Sequence, residues 1–172
     1  MAGEVAPDFT ATVWDGSSVK LSELRGSKIW VAFFRYAGCP LCNLRMHDID
    51  KRWAKEYQGR LKILAVFQSP RESIAEFMTE QPAPFPIIAD PDQALYRLYG
   101  VEEGWWGLLS LRLMADIFRA WRQSIRHGKS EGSETRIPAD FLIDEDGIIR
   151  TAFYGKDIGD HIPFDVIADF VR

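Results

Sequence analysis

The chain has 172 residues, 47% of them hydrophobic, and 21 Lys and Arg against 25 Asp and Glu give a net charge of −4. That length suits a single domain, residues 1–172, able to bury its own core, and the acidic balance leaves no basic field to gather nucleic acid or anionic lipid. No apolar run reaches the roughly 18 residues of a membrane span, and the opening MAGEVAPDFT has neither the basic nor the apolar region of a signal peptide. Two cysteines, spaced C-x-x-C, exclude a multi-bridge secreted scaffold, so the expectation is a cytoplasmic protein with a reactive or metal-bound pair.

In chain order, FTATVWDGSSVKLSEL gives two short β-prone segments around the Asp15-Gly16 turn, with Ser22 as a helix-cap candidate. KIWVAFF (28–34) reads as a central strand covered on both faces, and the segment from Pro40 to about Tyr57 is helical by period. LKILAVF (61–67) is a second buried strand and RESIAEFMTEQ (71–81) a second helix. FPIIAD (85–90) adds a strand, and PDQALYRLYG (91–100) a helix with Pro91 in its first turn and Gly100 as its stop. A helical insertion at about 104–128 precedes FLIDEDGIIRTAFYG, a hairpin around Asp146-Gly147, and Phe164, Ile167, Ala168 and Val171 mark a closing amphipathic helix. Alternating strands and helices, then a hairpin and a helix, predict an α/β fold with a central mixed sheet flanked by helices and an N-terminal hairpin extension.

The cysteine pair falls at the start of the first long helix, with Cys39 ahead of Pro40 in the first helical position, where a missing N–H costs nothing. Unpaired N–H groups and the positive end of the helix dipole then favour the Cys39 thiolate, and Gly38 leaves the approach open. Cys42, Met46, Ile49 and Trp53 recur at i, i+4, i+7 and i+11, one apolar stripe, so Cys42 is expected to point inward. The pair therefore reads as an exposed nucleophile, Cys39, and a shielded resolving thiol, Cys42. A zinc site would need two further ligands, and the histidines are His47, His127 and His161. His47 lies about 140° around the helix from Cys42 at ~100° per residue, so no metal site is expected.

Four segments resemble the peroxiredoxin-like (AhpC/TSA) branch of the thioredoxin superfamily across nearly the whole chain. GEVAPDFTATVWDGSSVKLSELRGSKIWVAFF looks like that group's opening, RYAGCPLC is similar to its C-x-x-C subgroup, IIADPDQALYRLYGV to its third strand and helix, and IPADFLIDEDGIIRTAFYG to its closing hairpin. The resemblance implies a thioredoxin-like fold and reduction of hydroperoxides or disulfides with recycling by a thioredoxin- or glutathione-type donor and no cofactor. It assigns the redox roles to Cys39 and Cys42, and matches Pro138 to the cis-proline set opposite the first cysteine, an ordinary trans proline at a strand edge being the alternative. The chain departs from the P-x-x-x-T/S-x-x-C pattern of typical peroxiredoxins. Counted back from Cys39 the equivalent positions are Ala32 and Tyr36, and from Cys42 they are Arg35 and Cys39. Where the group places its activating arginine this chain has Pro138, with Arg136 two residues earlier. Arg35, Arg136 or the Tyr36 hydroxyl could polarise a peroxide bond if they converge on the sulfurs.

Two further features bear on the site. Leu113, Met114, Ile117, Phe118, Trp121 and Ile125 share one helical face with Arg112, Arg119, Arg122 and Arg126 mostly elsewhere, read as a core stripe under a solvated basic face, with membrane or partner binding as the alternative. Trp105 and Trp106 precede it and could wall an apolar site. HGKSEGSETR (127–136) is a polar loop that could gate the cysteines, and Asp160-His161 is read as a cap for the last helix. The leading expectation is a thiol peroxidase. A thioredoxin-type thiol-disulfide oxidoreductase and a non-catalytic redox-sensing or zinc-binding module are the alternatives.

Overall fold

The computed structural model describes residues 1–80, 82–104, 111–122 and 128–172. Five strands form the main sheet: β3 (Lys28–Phe33), β4 (Leu61–Phe67), β5 (Ile87–Ala89), β6 (Ala139–Ile143) and β7 (Ile149–Tyr154), in the order β5-β4-β3-β6-β7. β3, β4 and β5 run parallel, which forces helical crossovers between them. β6 and β7 return antiparallel as a hairpin whose Gly147 takes a left-handed φ of 82°. The hairpin β1 (Thr10–Thr12) and β2 (Ser18–Lys20) forms its own small sheet ahead of the main one. The mixed sheet, its flanking helices and the N-terminal hairpin are as the sequence predicts, and the fold is thioredoxin-like.

β3 is apolar and buried from Ile29 to Phe33 because both its faces are covered. Trp30, Ala32 and Phe34 pack with Met46, Ile49 and Phe67 on one side, and Ile29, Val31 and Phe33 with Tyr96, Tyr99 and Phe141 on the other. Helices α1 (Pro40–Arg52), α2 (Arg71–Glu80), α3 (Ala94–Leu98), α4 (Leu111–Arg122) and α5 (Phe164–Val171) complete the described elements. α1 continues into a wider turn over Trp53–Tyr57, closed by the Gln58 N–H on the Trp53 carbonyl at 2.9 Å. Among the described residues no helix is long and apolar enough to cross a membrane.

Several local expectations are corrected. Ser22 caps nothing with its side chain; its N–H donates to Asp8 Oδ1 at 2.9 Å, and the short 3-10 turn Leu21–Leu24 has no side-chain cap. Pro91 lies in a turn ahead of α3. Asp90 holds that helix instead, its two carboxylate oxygens accepting the Ala94 and Leu95 N–H groups at 3.0 and 2.8 Å. The stripe on α4 is not core where it can be seen, since Met114 is 68%, Ile117 49% and Phe118 57% exposed, and among the α4 residues whose side chains are described only the small Ala120 is buried. α4 lies against α1, to which Arg119 is tied by an ion pair with Asp48 at 2.9 Å. The side chains of Leu113, Trp121 and Arg112, and all of Trp105, Trp106, Ile125, Arg126 and His127, lie outside the described residues.

Candidate active site

β3 delivers the chain to the carboxyl end of the sheet, where Arg35 to Cys39 form a tight loop before α1. Cys39 is the N-cap of α1 in extended conformation, with Pro40 as first helical residue, as predicted. Its carbonyl accepts the Asn43 N–H at 3.0 Å, and its own N–H donates to the Tyr36 carbonyl at 3.0 Å. Cys42 lies one turn on, 1% exposed, facing the sheet with Met46 and Ile49. Neither sulfur is in a disulfide.

The two thiols are unequal. Cys39 is drawn down to about 6, first by the hydrogen bond that the Cys42 thiol donates to it, then, against the opposing cost of burial, by the Arg35 charge and the N–H groups of Cys42 and Leu41 at the helix start. Cys42 is pushed well up by burial and by giving that hydrogen bond. Arg35 serves both: its Nη1 is 3.5 Å from Cys39 Sγ and its backbone N–H 3.4 Å from Cys42 Sγ.

One expectation fails here. Cys39 is fully buried, not exposed, because the 128–136 loop closes over it. The Gly128 N–H donates to the Gly38 carbonyl at 2.9 Å, and the two glycine backbones touch so closely that a Cβ on Gly38 would stand 2.7 Å from Gly128 Cα. Gly38 is thus the seat of a cover rather than an open approach. Farther along the loop, Arg35 Nη2 holds the Glu134 carbonyl, Gln68 Nε2 donates to the Ser133 carbonyl at 2.6 Å, Tyr36 is hydrogen-bonded to Ser130, and Ser73 to Glu131.

Of the positioning residues read from the sequence, Arg35 meets both sulfurs, Tyr36 meets Cys39 through its backbone carbonyl while its side chain is hydrogen-bonded to Ser130, and Arg136 is engaged elsewhere. Arg136 is buried and spends its Nη1 on the Val101 carbonyl at 2.7 Å and its Nη2 on Gln93 and Glu103, with its guanidinium over the Tyr96 ring. The bond before Pro138 is trans, and Pro138 precedes an antiparallel strand that starts with Ala139 opposite Phe33; its carbonyl accepts the Gly155 N–H at 2.9 Å. The trans alternative therefore holds, although Pro138 enters an interior strand, paired with β3 and β7, rather than a sheet edge. His161 does not cap α5. It is 4% exposed, with Nδ1 3.1 Å from Asp140 Oδ2, while the other Asp140 oxygen accepts the Trp30 indole N–H at 2.9 Å. Sequence reasoning passed over Asp140, whose only signal is a lone carboxylate inside an otherwise apolar buried strand. No cluster of metal-binding side chains occurs among the described residues.

The Arg35 charge can be tested directly. Arg35→Met should raise the pH midpoint of Cys39 alkylation by roughly one unit or more, and Arg35→Lys should restore most of it, as expected for a cation a few ångströms from a thiolate. An unchanged midpoint in Arg35→Met would remove the arginine from thiolate stabilisation.

Against known proteins, residues 2–152 match the AhpC/TSA family model. The peroxiredoxin Bcp of Escherichia coli is 24% identical over 171 residues, 99% of this chain and 95% of the relative. A Mycobacterium tuberculosis relative assigned to the peroxiredoxins is 26% identical over 160 residues, 93% of this chain and 88% of its own. Among solved structures, the bacterioferritin comigratory protein of Xanthomonas campestris superposes with a TM-score of 0.69 at 18% identity, covering 95% of this chain and 89% of its own. A Chlorobium tepidum structure assigned to the DsbE thiol:disulfide interchange proteins superposes with a TM-score of 0.67 at 22% identity, covering 99% and 95%. Matched over most of its length by the family model, and carrying a C-x-x-C pair at the start of a helix on a thioredoxin-like sheet, the chain belongs to the AhpC/TSA family.

Proposed function

We propose that the protein is a thiol peroxidase in which Cys39 is the nucleophile and Cys42 the resolving thiol. The observation that carries this is the asymmetry of the pair: a thiol drawn down to about 6 beside Arg35, one helical turn from a buried thiol pushed the other way. The Cys39 thiolate attacks the distal oxygen of a hydroperoxide, the O–O bond breaks, and the alkoxide leaves with a proton as alcohol or water. The resulting sulfenic acid condenses with the Cys42 thiol, releasing water and forming the Cys39–Cys42 disulfide. A thioredoxin- or glutathione-type donor then returns two electrons, in a cytoplasmic setting that keeps such pairs reduced. Arg35 donors at the sulfur are suited to the oxygen that gathers charge as the peroxide bond opens.

The decisive measurement is stopped-flow oxidation of the reduced protein by hydrogen peroxide and by an organic hydroperoxide, beside insulin-disulfide reduction. Oxidation well above that of a free thiol at the same thiolate fraction is expected, and a rate no faster would sink the peroxidase reading. The N-cap placement and shielded second sulfur also suit thiol-disulfide exchange, and insulin reduction in the absence of peroxide reactivity would favour that second reading.

Because Cys39 is buried, reaction with any oxidant requires the 128–136 loop to lift. Gly38→Ala places a methyl against the Gly128 backbone, an overpacking that costs ~1–3 kcal/mol in the closed form. Cys39 alkylation by iodoacetamide should accelerate about tenfold or more while the far-UV spectrum stays unchanged. An unaltered rate would mean that the loop does not control access.

A further inference from the structure

A cavity of about 530 Å³ lies along one flank of α1, and none of its lining residues comes from the 128–136 loop. Its wall begins at Leu41 and Leu44, which flank Cys42 in the helix, and continues through Arg45, Asp48, Lys51 and Arg52. Arg119 of α4 and His161 close the other side. Four cationic side chains thus face one carboxylate. Two are already engaged, Arg119 with Asp48 and Arg52 with Glu56, both at 2.9 Å. Arg45 stacks over Phe164 at 3.7 Å and donates to the Ile162 carbonyl at 2.6 Å. Lys51 stands exposed at the rim.

The wall also holds a buried acid–base pair. His161 turns Nδ1 to Asp140, which is fully buried, and no partner is found for Nε2 among the described residues, although the ring lines the cavity. In its neutral form such a ring gives Nδ1–H to the carboxylate and presents the Nε2 lone pair. The ring sits 4.8 Å from that of Phe34, and the next backbone N–H, of Arg35, contacts Cys42 Sγ. A basic nitrogen and a cationic surface therefore share one space whose wall includes Leu41 and Leu44, on either side of Cys42 in the helix, and no residue of the loop over Cys39.

We propose that this cavity is the docking site for the reductant, and that the reductant it takes is a small thiol bearing carboxylates. The inference rests on the thiol-redox function proposed above and adds the chemical class of the electron donor and where it binds. The carboxylates lie towards Arg45 and Lys51. His161 Nε2 accepts the thiol proton, and the thiolate attacks one sulfur of the Cys39–Cys42 disulfide, releasing the other as a thiolate. A second molecule of the thiol resolves the mixed disulfide, so two thiols are oxidised to one small disulfide and the pair is returned reduced.

The test starts from protein oxidised with diamide, so it does not depend on peroxide reactivity. Reduction is followed by quenched mass spectrometry with glutathione (anionic), 2-mercaptoethanol (neutral) and cysteamine (cationic), each rate divided by its thiolate concentration. Glutathione should exceed cysteamine about tenfold or more. Lys51→Glu should cut the glutathione rate severalfold, whereas Lys55→Glu, the same charge change at an exposed residue outside the cavity, should not. His161→Asn should slow glutathione at neutral pH and lose the deficit as the free thiol ionises at higher pH. The charged groups around that ring are Asp140 of β6, bonded to it, and Arg45, Asp48, Lys51 and Arg52 of α1 with Arg119 of α4, which line the same cavity, and none of them is altered by the variant. Rates blind to thiol charge, or equal effects of Lys51→Glu and Lys55→Glu, would overturn the proposal even if His161→Asn misfolds. Failure of diamide to form the Cys39–Cys42 disulfide would overturn both this proposal and the function beneath it.

Discussion

Cys39→Ser is expected to abolish peroxide-dependent turnover, a loss of at least about a thousandfold, because a serine hydroxyl offers no thiolate at neutral pH. Cys42→Ser should behave differently. Cys39 still forms its sulfenic acid, which dimedone traps, but no intramolecular disulfide follows and turnover stops after one oxidation. The Cys42 thiol's hydrogen bond is also the largest influence on Cys39, so the pH dependence carries a second prediction. In the wild type the attacking thiolate fills as pH rises through about 6, so the oxidation rate should climb up to that region and level off near neutrality. Cys42→Ala, which unlike Ser offers no donor in place of the thiol, should move that rise to higher pH. Retained turnover in Cys39→Ser, or a dimedone adduct on Cys42 rather than Cys39 in the wild type, would reverse the assignment of the two sulfurs.

Asp140→Ala should cost ~3–5 kcal/mol of folding stability, the scale for removing one partner from a buried charged network. Its carboxylate accepts from the Trp30 indole N–H and the Ile162 N–H, both at 2.9 Å, and meets His161 Nδ1. All three would be left buried without an acceptor. For a chain of this length the melting temperature should fall by roughly 10 °C or more. Asp140→Asn keeps one carbonyl oxygen and should cost less. Burial alone would raise this carboxyl, yet the His161 charge and hydrogen bond, the Arg45 charge and the Ile162 N–H hold it below its ordinary value of 3.8. A depressed carboxylate stabilises the fold above its unfolded value and gives that up as pH falls through the lower folded value, so the contribution disappears only below about pH 4. Asp140→Asn should accordingly flatten the acid limb of the stability curve. Equal acid slopes in the two proteins would show that the network carries no charge linkage.

The exposed apolar side chains of α4 show where periodicity stops informing. The same spacing that correctly placed Ile167 of α5 inward also marks Met114, Ile117 and Phe118, yet these face outward. Period identifies one face of a helix; which neighbour, if any, covers it depends on where the helix docks, and α4 meets α1 through Arg119 instead. His161 shows the converse. Beside Asp160 at the start of a helix it looks like a cap, but 21 residues separate it from the carboxylate that holds it.

The cysteine pair itself divides along the same line. Local chemistry, read from the sequence alone, was enough to set Cys39 at the N-cap ahead of Pro40, Cys42 on the inward stripe with Met46 and Ile49, and the alternating elements of a mixed sheet, because caps, first-turn prolines and apolar spacing act within a few residues. Tertiary structure alone decided that Cys39 is covered, that Arg35 joins the sulfurs while Arg136 is spent on Val101, Gln93 and Glu103, and that Asp140 and His161 form a pair. Each of those contacts, apart from Arg35 with its near neighbours, closes a loop of about twenty residues or more, so its partners are chosen by the packing of the whole sheet and carry no mark in the local sequence.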